Sequence, residues 1–255
     1  MEVKPIKIKN TVIGEGMPKM IISLMGKSEE GLLQEAEEVK SLRPDMIEWR
    51  VDEYDEAENK TAVLSLLTNI REKLSDTPLI FTFRTSKEGG NKRISAGYYK
   101  ELLESAIASK KIDLVDIELF SGETIVKELV AAAHENGVCV IMSNHDFDKT
   151  PAKDEIISRL RQMQELGAHI PKIAVMPHSV RDVLTLLDAT NTMIENYADR
   201  PIMTMAMSEI GVISRLAGEV FGSAATFASG KQLSAPGQIP AEELRKVLNV
   251  LHKYT

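Results

Sequence analysis

Val138-Cys139-Val140-Ile141-Met142-Ser143 and Ile170-Pro171-Lys172-Ile173-Ala174-Val175-Met176 are two continuous apolar runs, and the chain between them changes period. After the Thr150-Pro151 turn, Ile156, Leu160 and Met163 fall at helical spacing. A short run that is apolar at nearly every position suits a strand covered on both faces, so the segment reads as strand, helix, strand. The rhythm extends in both directions, with similar runs at Lys19–Met25, Asp45–Val51, Leu79–Arg84, Ile112–Leu119, Pro201–Met207 and Ser223–Ala228. Val63, Leu67, Ile70 and Leu74 form a helical stripe after Thr61, a candidate cap. Leu244, Val247, Leu248 and Leu251 form another after Pro240.

Eight strand-then-helix units in 255 residues predict one domain, 1–255, folded as a closed α/β (β/α)8 TIM barrel. An open doubly wound sheet is the competitor. It is disfavoured because no Gly-x-Gly-x-x-Gly turn follows an early strand, and because polar residues gather late in many strands rather than at one switch point. Val3–Val12, followed by Gly14-Glu15-Gly16, reads as an N-terminal β-hairpin closing the bottom of the barrel.

The formal net charge of −7 repels phosphate backbones and anionic lipid surfaces, so neither nucleic acid nor membrane is an expected partner. No apolar stretch approaches the roughly 20 residues of a membrane span, and Met1–Lys9 has no apolar leader core, which points to the cytoplasm. The single Cys139 sits in an apolar run and reads as a small buried hydrophobe.

Charge appears where a purely structural strand would not place it. Glu48 and Arg50 share a strand face, as do Asp116 and Glu118, because side chains alternate. Arg84 ends another apolar run, with Glu88 four residues on. His145 follows the run Val138–Met142, and Lys172 lies inside its own run. Five strands thus carry charge to the C-terminal mouth, where barrel active sites are built. A lysine enclosed there, beside Arg50, Arg84 or Arg215, has its pKa lowered by desolvation and by like charge. The resulting amine is the nucleophile needed to attack a carbonyl and form an iminium. Imine chemistry also requires a proton carrier. His145 suits that role better than His134, His169 and His252, which lie in connections or at helix ends, or His178, which follows a strand with nothing else to mark it.

One alternative is a divalent-cation site built from Glu48, Asp116, Glu118 and His145, although Lys172, Arg50 and Arg84 would oppose it electrostatically. Arg215 offers a fork suited to a carboxylate. Ser234-Ala235-Pro236-Gly237-Gln238 reads as a lid loop, and Met203, Met205 and Met207 as barrel filling on one strand face.

Together these segments resemble the type I 3-dehydroquinate dehydratase family of the class I aldolase-like barrels. The resemblance is carried by Ile13-Gly14-Glu15-Gly16, Glu48-Trp49-Arg50-Val51-Asp52, Phe81-Thr82-Phe83-Arg84, Lys87-Glu88-Gly89-Gly90, Asp116-Ile117-Glu118-Leu119-Phe120, Ser143-Asn144-His145-Asp146-Phe147, Pro171-Lys172-Ile173-Ala174-Val175-Met176-Pro177, Gly211-Val212-Ile213-Ser214-Arg215 and Ser234-Ala235-Pro236-Gly237-Gln238. It implies a lyase of the shikimate pathway of aromatic amino-acid biosynthesis, without metal or cofactor, that acts on 3-dehydroquinate as a homodimer. Lys172 would form the imine, His145 would serve as general acid and base, and Glu88 would orient it. Ser23, Glu48, Arg50, Arg84, Met205, Arg215, Ser234 and Gln238 would bind substrate, with Met207 and Phe147 as further pocket wall. Ala206 stands where relatives carry serine, and His178 where many carry glutamine. Another imine-forming class I aldolase-type lyase is the alternative; it should lack the Glu-x-Arg pair and the Ser-Ala-Pro-Gly-Gln loop.

Overall fold

The computed structural model describes residues 3–255; the first two residues of Met1–Lys9, and of the domain 1–255, lie outside the described residues. The strands are β1 (Ile6–Ile8), β2 (Thr11–Ile13), β3 (Lys19–Leu24), β4 (Met46–Arg50), β5 (Leu79–Thr82), β6 (Leu114–Glu118), β7 (Cys139–Asp146), β8 (Ile170–Val175), β9 (Met203–Ala206), β10 (Ala225–Ser229) and β11 (Ile239–Pro240). The helices are α1 (Glu29–Ser41), α2 (Lys60–Leu74), α3 (Ala96–Ala108), α4 (Glu123–Glu135), α5 (Lys153–Glu165), α6 (Val180–Asn196), α7 (Val212–Leu216), α8 (Gly218–Phe221) and α9 (Ala241–Tyr254).

Strands β3 to β10 pair in parallel in the order β10-β3-β4-β5-β6-β7-β8-β9, with β11 added beside β10. The ring closes between β9 and β10 through a short seam rather than a full ladder. Ala224 N–H donates to the Ile202 carbonyl at 2.8 Å. The Ser223 hydroxyl accepts from Thr204 N–H at 3.0 Å and donates to the Thr204 carbonyl at 3.2 Å. A side chain thus stands in for ladder bonds at the one weakly paired joint.

Strand alternation divides the core in two. Ile22, Leu24, Ile47, Trp49, Phe81, Val115, Ile117, Val140, Met142, Ile173 and Val175 face the helices. Ile21, Met46, Ile80, Leu114, Ile141, Ile170, Met203 and Ala225 point inward and meet at the strand starts. Hairpin residues Ile8 and Ile13 belong to that inner cluster, and Thr11 Oγ1 donates to the Asp45 carbonyl at 3.1 Å just before β4. The hairpin therefore plugs the N-terminal end, and the inward positions further along each strand are left for chemistry.

Several local expectations are corrected. Helix α2 is capped by Asn59, whose side chain accepts from Ala62 N–H at 3.3 Å, and Thr61 lies inside the helix. Val247 is exposed while Leu244 and Leu248 of the same stripe are buried. Strand β7 runs past Met142 to Asp146, because Asn144 and His145 stay in register with Ile173 and Ala174 of β8. Cys139 opens that strand half-buried rather than fully covered, and burial pushes its thiol pKa up.

Candidate active site

A cavity opens at the C-terminal mouth, lined by Glu48, Arg50, Arg84, Glu88, His145, Phe147, Lys172, Met205, Met207, Arg215, Phe227, Ser234 and Gln238 among others. Ten of the eleven residues expected from sequence line it directly. The eleventh, Ser23, is attached from β3: its hydroxyl donates to Glu48 Oε2 at 2.5 Å, and its oxygen lies 3.0 Å from Ser234 Oγ. Met203 belongs to the filled bottom layer, whereas Met205 and Met207 form cavity wall, so the methionine face is divided between the two roles.

Lys172 on β8 is 4% exposed. Its Nζ lies 3.5 Å from Asp116 Oδ2 and 4.6 Å from the centre of the Phe227 ring. Burial lowers its pKa below the ordinary lysine value; Arg84 and Arg50 add to that, and Asp116 and Glu48 oppose it. Above it, His145 Nδ1 sits 2.9 Å from Glu88 Oε2, and His145 backbone N–H donates to the same oxygen at 3.0 Å. Two donors from one residue fix both the ring position and the tautomer, leaving Nε2 as the basic nitrogen. Burial, then Arg84, Lys172 and Arg50, hold the imidazole well below its usual value of 6.5, so it is neutral at pH 7. Burial and neighbouring Glu118 push the Glu88 carboxyl up to about 8. A positive charge arriving on His145 would draw Glu88 back to its ionised form.

Arg84 is less a free substrate fork than an organiser. Nη1 donates to Glu118 Oε1 and to Ser143 Oγ, both at 3.0 Å, and Nη2 donates to Asp116 Oδ1 at 3.0 Å. Burial alone would lower its pKa, but Asp116, Glu118, Glu88 and Glu48 outweigh that and keep it charged. With Asp116 and Glu118 both paired to Arg84, the metal alternative has no geometric counterpart. Among the described residues, no group of three or more His, Cys, Asp and Glu side chains is arranged to hold an ion. Arg50 is held by a two-pronged pair with Asp52, Nε to Oδ1 at 2.9 Å and Nη2 to Oδ2 at 2.8 Å.

Arg215 is the opposite case. It is 1% exposed, and among the described residues no carboxylate pairs with it. Among the described residues, Nη2 donates to the Pro236 carbonyl at 3.0 Å, Nη1 reaches only Met205 Sδ at 3.8 Å, and Nε has no partner. Burial pulls its pKa down to about 10. Such an unpaired buried cation is built to receive an anion. The loop that supplies Pro236 is itself tied down, because Gln238 Nε2 donates to Ser234 Oγ at 2.8 Å and its Oε1 accepts from Ser234 N–H at 2.9 Å.

The Glu88 turn depends on two glycines. Gly89 has a φ of +86° and faces the Phe147 ring, and a Cβ on Gly90 would come within 1.9 Å of the Arg84 carbonyl oxygen. Since that neighbour is backbone, Gly90→Ala should cost at least about 1–3 kcal/mol in stability and reduce turnover by displacing Glu88. An unchanged urea midpoint would show that the turn yields without loss.

Sequence reasoning missed Asp52, Thr82, Ser143 and Phe227; it brought Asp116 to the barrel mouth but gave it a role only in the metal alternative. Alternation was the available signal: Thr82 follows Ile80, Ser143 follows Ile141 and Phe227 follows Ala225 on the inward face. His178 lies outside the cavity, hydrogen-bonded through Nε2 to the Asp148 carbonyl at 2.7 Å.

The sequence matches the model of the type I 3-dehydroquinase family over residues 20–255. It is 62% identical to the 3-dehydroquinate dehydratase of Bacillus subtilis over 250 residues, covering 98% of each chain. Identity to the same enzyme of Clostridioides difficile is 52% over 250 residues, again 98% of each. A type I 3-dehydroquinate dehydratase crystal structure from Clostridium difficile, solved with covalently modified comenic acid, superposes with a TM-score of 0.96 at 51% identity, covering 99% of both chains. The 3-hexulose-6-phosphate synthase structure, at 19% identity and a TM-score of 0.60, shares the fold.

Proposed function

The chain belongs to the type I 3-dehydroquinase family, and from that premise we propose how its own residues divide the work. The activity is a hydro-lyase reaction of the shikimate pathway, converting 3-dehydroquinate to 3-dehydroshikimate through a Schiff base. The Lys172 amine adds to the C3 ketone, and loss of water leaves an iminium at that carbon. Its positive nitrogen draws electrons from C2, so His145 Nε2 removes a C2 proton and the C–H pair becomes the enamine double bond. The imidazolium then gives that proton to the C1 hydroxyl. The enamine pair returns, C1–O breaks, and water leaves with the C1–C2 double bond formed. Hydrolysis of the product iminium restores the Lys172 amine. Glu88 steadies the imidazolium in between.

The observation that carries the assignment is the pairing of a lysine, pKa lowered by burial, with a neutral His145 above it in one cavity. Arg215 takes the substrate carboxylate, and Ser23, Glu48, Arg50, Arg84, Ser234 and Gln238 take its oxygens, with Met205 as wall. Assaying the conjugated enone of the product tests this division directly. Arg215→Met should raise KM by roughly 30-fold or more while changing kcat less, since a charged hydrogen-bonded pair is worth about 2–3 kcal/mol. It should also stabilise the free protein, because at neutral pH the folded state holds a guanidinium whose pKa burial has lowered to about 10. An unchanged KM would take the carboxylate away from Arg215.

The reading also takes 1–255 as one domain, supported by all eight barrel strands sharing one sheet. It places the chain in the cytoplasm as a homodimer. Among the described residues no helix is long and apolar enough to cross a membrane. Leu184 and Val220 expose apolar side chains on neighbouring helices α6 and α8. A sedimentation mass of one chain would remove the dimer, and an envelope-bound fluorescent fusion would remove the location.

A further inference from the structure

Resting on the Schiff-base reading above, we propose that Asp116 is a further catalytic residue, the fixed counterion that keeps the Lys172 imine protonated while the C2 proton and the C1 hydroxyl are lost. Asp116 on β6 and Lys172 on β8 flank β7, and the two oxygens of its carboxylate are used differently. Oδ1 accepts from Ser143 Oγ at 2.6 Å and from Arg84 Nη2 at 3.0 Å. Oδ2 has Lys172 Nζ, at 3.5 Å, as its one hydrogen-bond partner among the described residues. One oxygen anchors the group and the other is left for the reacting nitrogen.

The surroundings give Nζ no equivalent partner. Glu48 on β4 also points inward, but its oxygens accept from Ser23 Oγ and Thr82 Oγ1. Arg50 at the end of β4 and Arg84 after β5 bring positive charge, and Glu118 on β6 is paired to Arg84. His145 on β7 is held by Glu88, β9 contributes Met205 beside Arg215, β10 contributes the Phe227 ring face, and β3 contributes Ser23. Burial opposes ionisation of Asp116, but Arg84, Lys172 and Ser143 outweigh it and hold the carboxyl below its ordinary value.

The chemistry requires such a charge at that oxygen. A neutral imine barely acidifies C2, whereas the protonated one draws the C–H pair toward nitrogen. The positive charge vanishes in the enamine and returns to the same nitrogen when C1–O breaks. A carboxylate that stays put through both changes stabilises each charged state without moving. It also favours the ammonium of the free enzyme, which burial, Arg84 and Arg50 counter.

The test is Asp116→Asn with 3-dehydroquinate, reading pH profiles of kcat/KM and kcat together with the rate of cyanoborohydride trapping, which reduces the iminium in preference to the neutral imine. Loss of an opposite charge at this range shifts a pKa by roughly one to three units. Both the acid limb of kcat/KM, set by Lys172, and the alkaline limb of trapping should therefore move to lower pH by about that much, with kcat at pH 8 falling at least about tenfold. Profiles that drop in height with both limbs in place would indicate structural damage and overturn the proposal. If the variant does not fold, the wild type decides. Half-maximal trapping on the alkaline side above pH 8 supports a counterion, and below pH 8 it refutes one. A wild type that traps on Lys172 while the variant keeps its limbs removes Asp116 alone; a wild type that never traps removes the Schiff-base reading as well.

Discussion

Lys172→Ala is expected to lower turnover of 3-dehydroquinate by at least about 10⁴-fold, because no other group in the cavity can supply the covalent step. The other cations facing the cavity are guanidinium groups, Arg50, Arg84 and Arg215, which do not deprotonate to nucleophiles near neutral pH. The fold should survive the change. Asp116 keeps Arg84 and Ser143 as partners, and the lost side chain is replaced by space that opens onto the cavity. A variant with native circular dichroism and no turnover is therefore the expected result. Full activity would end the imine account.

His145→Ala should lower kcat by roughly 10²–10⁴-fold, the usual share of a positioned acid and base, and should do so after imine formation. The variant is thus expected to accumulate the Lys172 adduct faster than it releases product. Acid stability gives a second reading of the same residue. In the unfolded chain His145 takes up a proton near pH 6.5, whereas in the fold burial and the cations Arg84, Lys172 and Arg50 hold its pKa well below that. The stability that this depressed pKa confers is present above pH 6.5 and is lost as pH falls toward the folded value. Between those limits the wild type should lose stability more steeply than His145→Ala. Parallel curves in urea titrations across that window would show that the imidazole is not held neutral.

Much of this arrangement is legible in the chain because a barrel strand has only two faces. Ile170, Lys172 and Ala174 must share one and Ile173 and Val175 the other, so an ionisable residue among inward positions is conspicuous without coordinates. The less legible parts depend on distances between strands far apart in sequence. Nothing local tells that Arg84 commits three N–H bonds to Asp116, Glu118 and Ser143, or that among the described residues no carboxylate pairs with Arg215. The seam between β9 and β10 is likewise invisible in sequence, since one hydroxyl, that of Ser223, replaces the regular ladder there. The end of β7 was hidden by polarity. Asn144 and His145 look like loop residues, yet the register with β8 extends the strand through them and so fixes the catalytic imidazole on a rigid element rather than on a turn.

The most direct measurement is the intact mass of the protein after incubation with 3-dehydroquinate and borohydride, followed by mapping of the modified peptide. The account predicts one reduced adduct per chain, on the peptide that carries Lys172, and none in Lys172→Ala. Continued dehydration by the wild type with no adduct on Lys172 would contradict it.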